Sequence, residues 1–147
     1  MKITIVALLG LFAAAQAPSP ATSATYKTEA QLLGALAAGA ATPDMLTSAV
    51  SNDDHHRINI VRRTKAAGAI AHPGFAELHH IIEGSGTLVT GGTIVPPAGG
   101  RGGATIQNGE TRHVTKGDVI LVPSGMPHWY KDLDGTLTYL EVRFAEE

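Results

Sequence analysis

The 147-residue chain contains no cysteine. That excludes disulfides, thiolate nucleophiles, cysteine-ligated zinc and lipoprotein acylation. Any bound metal must therefore rest on nitrogen and oxygen ligands. Aromatic residues are scarce, at 5%, and there is a single tryptophan. The net charge of −2 predicts no general attraction to nucleic acid or anionic lipid. The one strongly apolar stretch, Ile3 to Ala15, is too short to span a membrane comfortably.

That stretch follows Lys2 and ends in small residues, the pattern of a secretory signal. Residues 1–24 are therefore read as a signal peptide and flexible leader, cleaved between about 15 and 24. The alternative is an uncleaved N-terminal anchor. Once processed, the protein is expected to be periplasmic or secreted, with no stable membrane span.

What the chain has in abundance is glycine, 17 residues set among short β-branched runs. This favours one all-β domain over a helical bundle. Residues 25–56 are read as an N-terminal helical segment. Thr28 and Gln31 form a capping-box pattern, and a helix runs from Glu29 to about Ala38, stopped by Gly39. Pro43 opens a second helical turn from Asp44 to Val50. Both are expected to pack outside the barrel.

Residues 57–147 are read as the β domain, because from Arg57 the apolar period changes to two and short antiparallel strands follow, which argues for a sandwich or a barrel. Ile58 and Ile60 share one strand face, with Asn59 and Val61 on the other. The cluster Arg62, Arg63 and Lys65 is read as a solvated strand end. Glu77 to Glu83 is the next strand, turned by Gly84-Ser85-Gly86 into Thr87 to Thr90. Gly91 to Gly103 is a long Pro/Gly-rich insertion, read as a mobile loop or a lid. Asn108-Gly109 and Asp134-Gly135 read as hairpin turns, and Val119 to Val122 as a short buried strand.

Two segments carry chemistry. His72 to Gly84 reads H-P-G-F-A-E-L-H-H-I-I-E-G, and Gly117 to His128 reads G-D-V-I-L-V-P-S-G-M-P-H. Strand alternation puts Glu77, His79 and Ile81 on one face, and Leu78, His80 and Ile82 on the other. His72 precedes the strand through Pro73-Gly74, and His128 arrives from a separate turn. His72, Glu77, His79 and His128 thus form a ligand set for one divalent metal ion. His79 is either a fourth ligand or a cavity-lining hydrogen-bonding residue. Glu77 is a ligand or a general base, and so the candidate catalytic residue. Tyr130 shares the parity of His128 and is expected to line the cavity. Arg63, Tyr139 and Arg143 are candidates to touch an anionic substrate. Trp129 should face away, packing on a helix or a partner subunit. His55 and His56 fall in a polar turn.

These two segments resemble the cupin family. Its first motif is Gly-x5-His-x-His-x(3,4)-Glu-x6-Gly, and His72, Glu77 and Gly84 match its second histidine, glutamate and last glycine. Its second motif is Gly-x5-Pro-x-Gly-x2-His-x3-Asn. Gly117, Pro123, Gly125 and His128 match it, with Asp132 in place of the asparagine. The resemblance runs from Asn59 to Phe144. The first histidine of motif one falls at Ile70, which cannot bind metal. His79 is not a family ligand position, and its inward parity makes it a candidate replacement.

The resemblance implies a cupin-type double-stranded β-helix, a jelly-roll barrel, with one Fe, Mn, Ni or Zn ion. It implies a metal-dependent enzyme of dioxygenase, isomerase or lyase type acting on a small organic molecule. The alternative is a non-catalytic periplasmic protein that binds or senses a small ligand. Pairing through barrel edges into a homodimer is a further expectation.

Overall fold

The computed structural model describes residues 23–146, and the apolar leader lies outside them. The chain begins with helix α1 (Glu29–Ala35), continued by a 3-10 turn over Leu36–Ala38. The capping box is formed in full: Gln31 N–H donates to Thr28 Oγ1 at 3.2 Å, and Thr28 N–H donates to Gln31 Oε1 at 2.9 Å. Nine strands follow. They are β1 (Ala40–Ala41), β2 (Met45–Asn52), β3 (His56–Arg63), β4 (Phe75–Thr90), β5 (Thr93–Val95), β6 (Thr105–Gln107), β7 (Glu110–Thr115), β8 (Val119–Val122) and β9 (His128–Ala145).

The main sheet has the order β1-β2-β3-β9-β4-β7, and β8 also pairs with β4. All these pairings are antiparallel. The result is the all-β jelly-roll barrel that the motifs imply. Val61, Ile81, Leu88, Val114, Tyr130, Leu137 and Tyr139 form its buried core. Each large apolar side chain buried there contributes about 1.5–3 kcal/mol. Helix α1 lies on the outer face, where Leu32 and Ala35 meet Ala49, Val50 and Ile60.

The second helical turn expected over Asp44 to Val50 is instead strand β2. Its residues pair with β3, Thr47 opposite Val61 and Met45 opposite Arg63. The edge of β3 requires a partner, and that tertiary demand overrides a weak local helix signal. The barrel sheet therefore starts inside the segment read as helical.

The turns expected at Gly84-Ser85-Gly86 and Asp134-Gly135 are not hairpins. Both lie within continuous strands, β4 of 16 residues and β9 of 18 residues. The two glycine corners face each other, with Gly84 opposite Leu137 and Gly86 opposite Leu133. A β-bulge bends the paired ribbon without ending the pairing. Ser85 Oγ donates to Asp134 Oδ2 at 2.7 Å across this corner.

Asn108-Gly109 does turn the chain, but it joins strands of different sheets: β6 pairs with β5, and β7 with β4. The Gly91 to Gly103 insertion thus contains half of a small hairpin. It packs on the segment leading to His72, where Ala69 N–H donates to Ala104 O at 2.7 Å. Strand β8 is buried on one face only. Val122 is inside, while Val119 and Leu121 are 62% and 63% exposed.

Candidate metal centre

The antiparallel register assembles the site from adjacent strands. Glu77 of β4 lies opposite Arg143 of β9, and His79 lies opposite Glu141. On the other edge of β9, Glu141 lies opposite Asn59 and Tyr139 opposite Val61. Residues directly opposite share a face, so these side chains form successive rows on the inner wall. His72 comes from the segment before β4, and His128 is the first residue of β9, opposite Thr90 at the other end of β4 from Glu77. Ile70 forms an isolated antiparallel bridge with His128, closed by hydrogen bonds of 3.0 Å and 2.9 Å. That bridge brings the start of β9 against the segment carrying His72.

Glu77, His79 and His128 are buried, and His80 is exposed, as alternation requires. His72, Glu77 and His128 offer ligand atoms that all lie within 4.8 Å of one another. A second such group comprises Glu77, His79 and Glu141. The four residues read as one ligand set, together with Glu141, therefore make two overlapping triads that share Glu77. Glu141 escaped the sequence reading, although it shares the parity of Tyr139 and Arg143 and so was legible in principle.

The hydrogen bonds assign the proton on each ring. Burial pushes the Glu77 carboxyl up. The hydrogen bond from His79 and, in the acid range where Glu77 titrates, the charges of protonated His128, of Arg143 and of protonated His72 outweigh that and hold it down at about 2. Glu77 is thus an anion at neutral pH and cannot donate. His79 Nε2, 3.3 Å from Glu77 Oε2, must carry the proton of that bond. Its Nδ1 then accepts from the Tyr130 hydroxyl at 2.9 Å. Burial raises Tyr130 well above its ordinary value, so this hydroxyl stays protonated.

His128 is oriented differently. Its Nδ1–H donates to the Met126 carbonyl at 3.1 Å, leaving Nε2 as a lone pair aimed at Glu77 Oε2, 3.8 Å away. Burial lowers its pKa below 6.5, more than Met126 and Glu77 raise it, so the ring is neutral. A lone pair facing a carboxylate has no donor to share, and a cation between them satisfies both. His72 Nδ1 donates to Glu77 Oε1, but its Nε2 has no partner among the described residues, so the proton can sit on Nε2 and leave Nδ1 to an ion. With His72 in that tautomer these residues fit a divalent ion through nitrogen and oxygen donors.

His72, His79 and His128 line a cavity of about 250 Å³, with Met45, Thr47, Val61, Ile70 and Tyr139. Arg63 and Arg143 line it as well. Arg63 is therefore not part of a solvated strand end. Arg62 is the one of the pair that turns outward, to Glu83 at 2.6 Å. Tyr130 stands behind His79 rather than on the cavity wall. Ile70, 39% exposed, lines the cavity without closing it, and Ile81 belongs to the core beneath. Nothing from Gly91 to Gly103 lines it, so the insertion is no lid in this conformation. Trp129 alternates with the buried His128 and Tyr130, and its indole N–H donates to the Ala67 carbonyl rather than meeting a helix. His56 bonds Ser51 Oγ at 3.1 Å, away from the site.

The depressed Glu77 pKa makes acid stability a readout. A group whose folded pKa lies below its ordinary 4.5 adds stability that is complete above that value. The contribution is lost as pH falls through about 2. Its upper size is about 3 kcal/mol, from 1.36 kcal/mol per pKa unit. In urea titrations of metal-free protein from about pH 5 to pH 2, Glu77→Gln should show a shallower loss of stability than the parent. Parallel curves would mean that Glu77 carries no such stabilisation.

A family model described as cupin matches residues 38–136. No curated protein sequence matches the chain significantly. Among solved structures, the fold is similar to that of a predicted oxalate decarboxylase from Thermotoga maritima. The TM-score is 0.53 at 17% identity, over 69% of this chain and 81% of that one. KdgF from a Halomonas species gives 0.52 at 12% identity, over 72% and 84%. The Fe(II) form of HppE gives 0.57 at 12% identity, over 72% of this chain and 54% of that one. At such identities the likeness speaks to the fold alone.

Proposed function

The chain belongs to the cupin family, and from that membership and the geometry around Glu77 we propose that it is a metal-dependent enzyme acting on a small organic molecule in the barrel cavity. The observation that carries the reading is the pairing of His72 and the His128 Nε2 lone pair with an anionic Glu77 beside an open cavity. Two imidazoles and one carboxylate are the donor set of non-haem Fe(II) oxygenases, so Fe(II) is the ion of choice. Among the structures of similar fold, one is an Fe(II) protein and one a predicted decarboxylase.

In this reading His72, Glu77 and His128 hold the ion. Bound there, it would supply redox or Lewis-acid chemistry to a ligand entering from the cavity. Glu77 serves as ligand and charge rather than as general base, because a carboxyl held at about 2 accepts a proton poorly at neutral pH. His79 directs Glu77: the Tyr130 hydroxyl fixes its tautomer, and its Nε2–H fixes one carboxylate oxygen. The Met126 carbonyl does the same for His128. With Ile70 where a further imidazole would stand, the protein contributes three ligands, and the ion keeps positions for substrate.

The test is the metal content of untagged protein, as purified and after anaerobic reconstitution with Fe(II), Mn(II), Ni(II) or Zn(II). About one Fe(II) per chain, with ligand-dependent oxygen consumption, is the expected result. Protein that stays metal-free with every ion would overturn the enzyme reading and leave a ligand-binding barrel.

A further inference from the structure

Arg63 is the cavity cation outside every ion pair, with Asp44 the carboxylate that acts on it from beyond ion-pair distance. Its Nε–H donates to the Tyr139 hydroxyl at 3.1 Å, and it enters no ion pair among the described residues. Arg143 differs, lying 3.7 Å from Glu77 and 3.2 Å from Glu141. The Arg63 guanidinium rests over the Tyr130 ring, 5.3 Å from its centroid, which holds the fork in place.

Two further donors at this end are unused. Tyr139 accepts from Arg63, but its own O–H donates to no described residue. Burial pushes that hydroxyl up, and Arg63 offsets it only in part, leaving it at about 12 and protonated at neutral pH. Thr47 Oγ1 is buried and has no hydrogen-bond partner. All three residues line the same cavity as His72 and His128. A buried donor without an acceptor, as at Thr47, is costly, and the half-buried Arg63 fork beside it has donors left over once Nε–H is given to Tyr139. An arginine fork beside two hydroxyls is the donor set for an oxyanion with two equivalent oxygens.

We propose that Arg63, Tyr139 and Thr47 bind a carboxylate, and that the substrate is a short aliphatic acid whose second oxygen reaches the metal end. This rests on the metal reading for its second half only. Met45, Val61 and Ile70 give the wall apolar surface that suits a short carbon chain, alongside the polar Asn59 and Glu141. The volume of about 250 Å³ is below the roughly 300–1,000 Å³ of pockets for drug-sized ligands, which restricts the acid to a few carbons. Charge agrees. Arg63 and Arg143 balance Glu77 and Glu141, so a dication leaves a positive excess that an anion neutralises.

Calorimetric titration of metal-loaded protein with lactate and pyruvate, against the neutral lactamide and hydroxyacetone, tests this. The acids should bind, and the neutral probes should bind at least about thirty-fold more weakly. Arg63→Met should lose the acids to a similar degree while keeping its metal, and Thr47→Val should lose them in part. The second variant decides the matter if the first fails to fold. Neutral probes binding as well as acids, no acid binding, inorganic phosphate alone binding, or both variants binding like the parent would each overturn the proposal. Acid binding that depends on Arg63 in protein unable to hold metal would keep the carboxylate end and sink the metal reading alone.

Discussion

His128→Ala is expected to abolish stoichiometric metal binding, whereas His79→Ala should retain the ion with weakened affinity. The difference follows from where each ring's proton sits. His128 gives its Nδ1–H to Met126 and keeps the Nε2 lone pair for the ion. His79 has no lone pair to offer, because Nε2–H is committed to Glu77 and Nδ1 to Tyr130. Removing a residue that only orients a ligand costs about 10- to 100-fold in affinity. His79→Ala should fall in that range, and His128→Ala beyond it. Chelator competition on both variants measures this, with circular dichroism to establish folding. Equal losses would make His79 a ligand and restore the four-residue set.

That contrast marks how far the sequence reaches. Period-two alternation through Glu77, His79 and Ile81 suffices to turn the right faces inward, because one face of β4 is buried and parity is then fixed. Position along the face is a different matter. His79 falls beside Glu141 and Tyr130 rather than with His72, and that follows from the register between β4 and β9. Register depends on distant residues and is not written in either strand by itself. The same limit hides Thr47. A strand that pairs only because β3 has a free edge looks locally like a helix after Pro43. Arg62 and Arg63 show a further case: adjacent charges on a strand point to opposite faces, so one meets Glu83 outside and the other the cavity.

Turn chemistry misled for a related reason. A Gly-Ser-Gly or Asp-Gly pair signals positive φ, and both a hairpin and a bulged corner use it. The structure resolves the choice by bringing the two corners together. There the register that aligns Glu77 with Arg143 is set against the far arm of the ribbon.

Gly84→Ala should therefore be the most damaging single methyl in the barrel. Gly84 has φ +80°, and a Cβ there would lie 1.9 Å from the Thr136 carbonyl oxygen and 3.0 Å from its carbon. Backbone cannot yield as a side-chain tip does. Left-handed strain of about 1–2 kcal/mol adds to overpacking of about 1–3 kcal/mol. The sum, about 2–5 kcal/mol, is a large share of the 5–15 kcal/mol that holds a typical domain together. Gly135→Ala is the control. Its φ is +86°, but nothing lies within 4 Å of the added methyl, so only the strain remains. Urea midpoints should separate the two variants by at least about 1 kcal/mol. A one-residue slip at the Gly84 corner would turn His80 inward and His79 out. Folded Gly84→Ala protein should accordingly bind metal more weakly than Gly135→Ala. Equal costs for the two substitutions would show that the close approach of the strands at Gly84 does not set the register, and the origin of the site's alignment would have to be sought in β8 and β3.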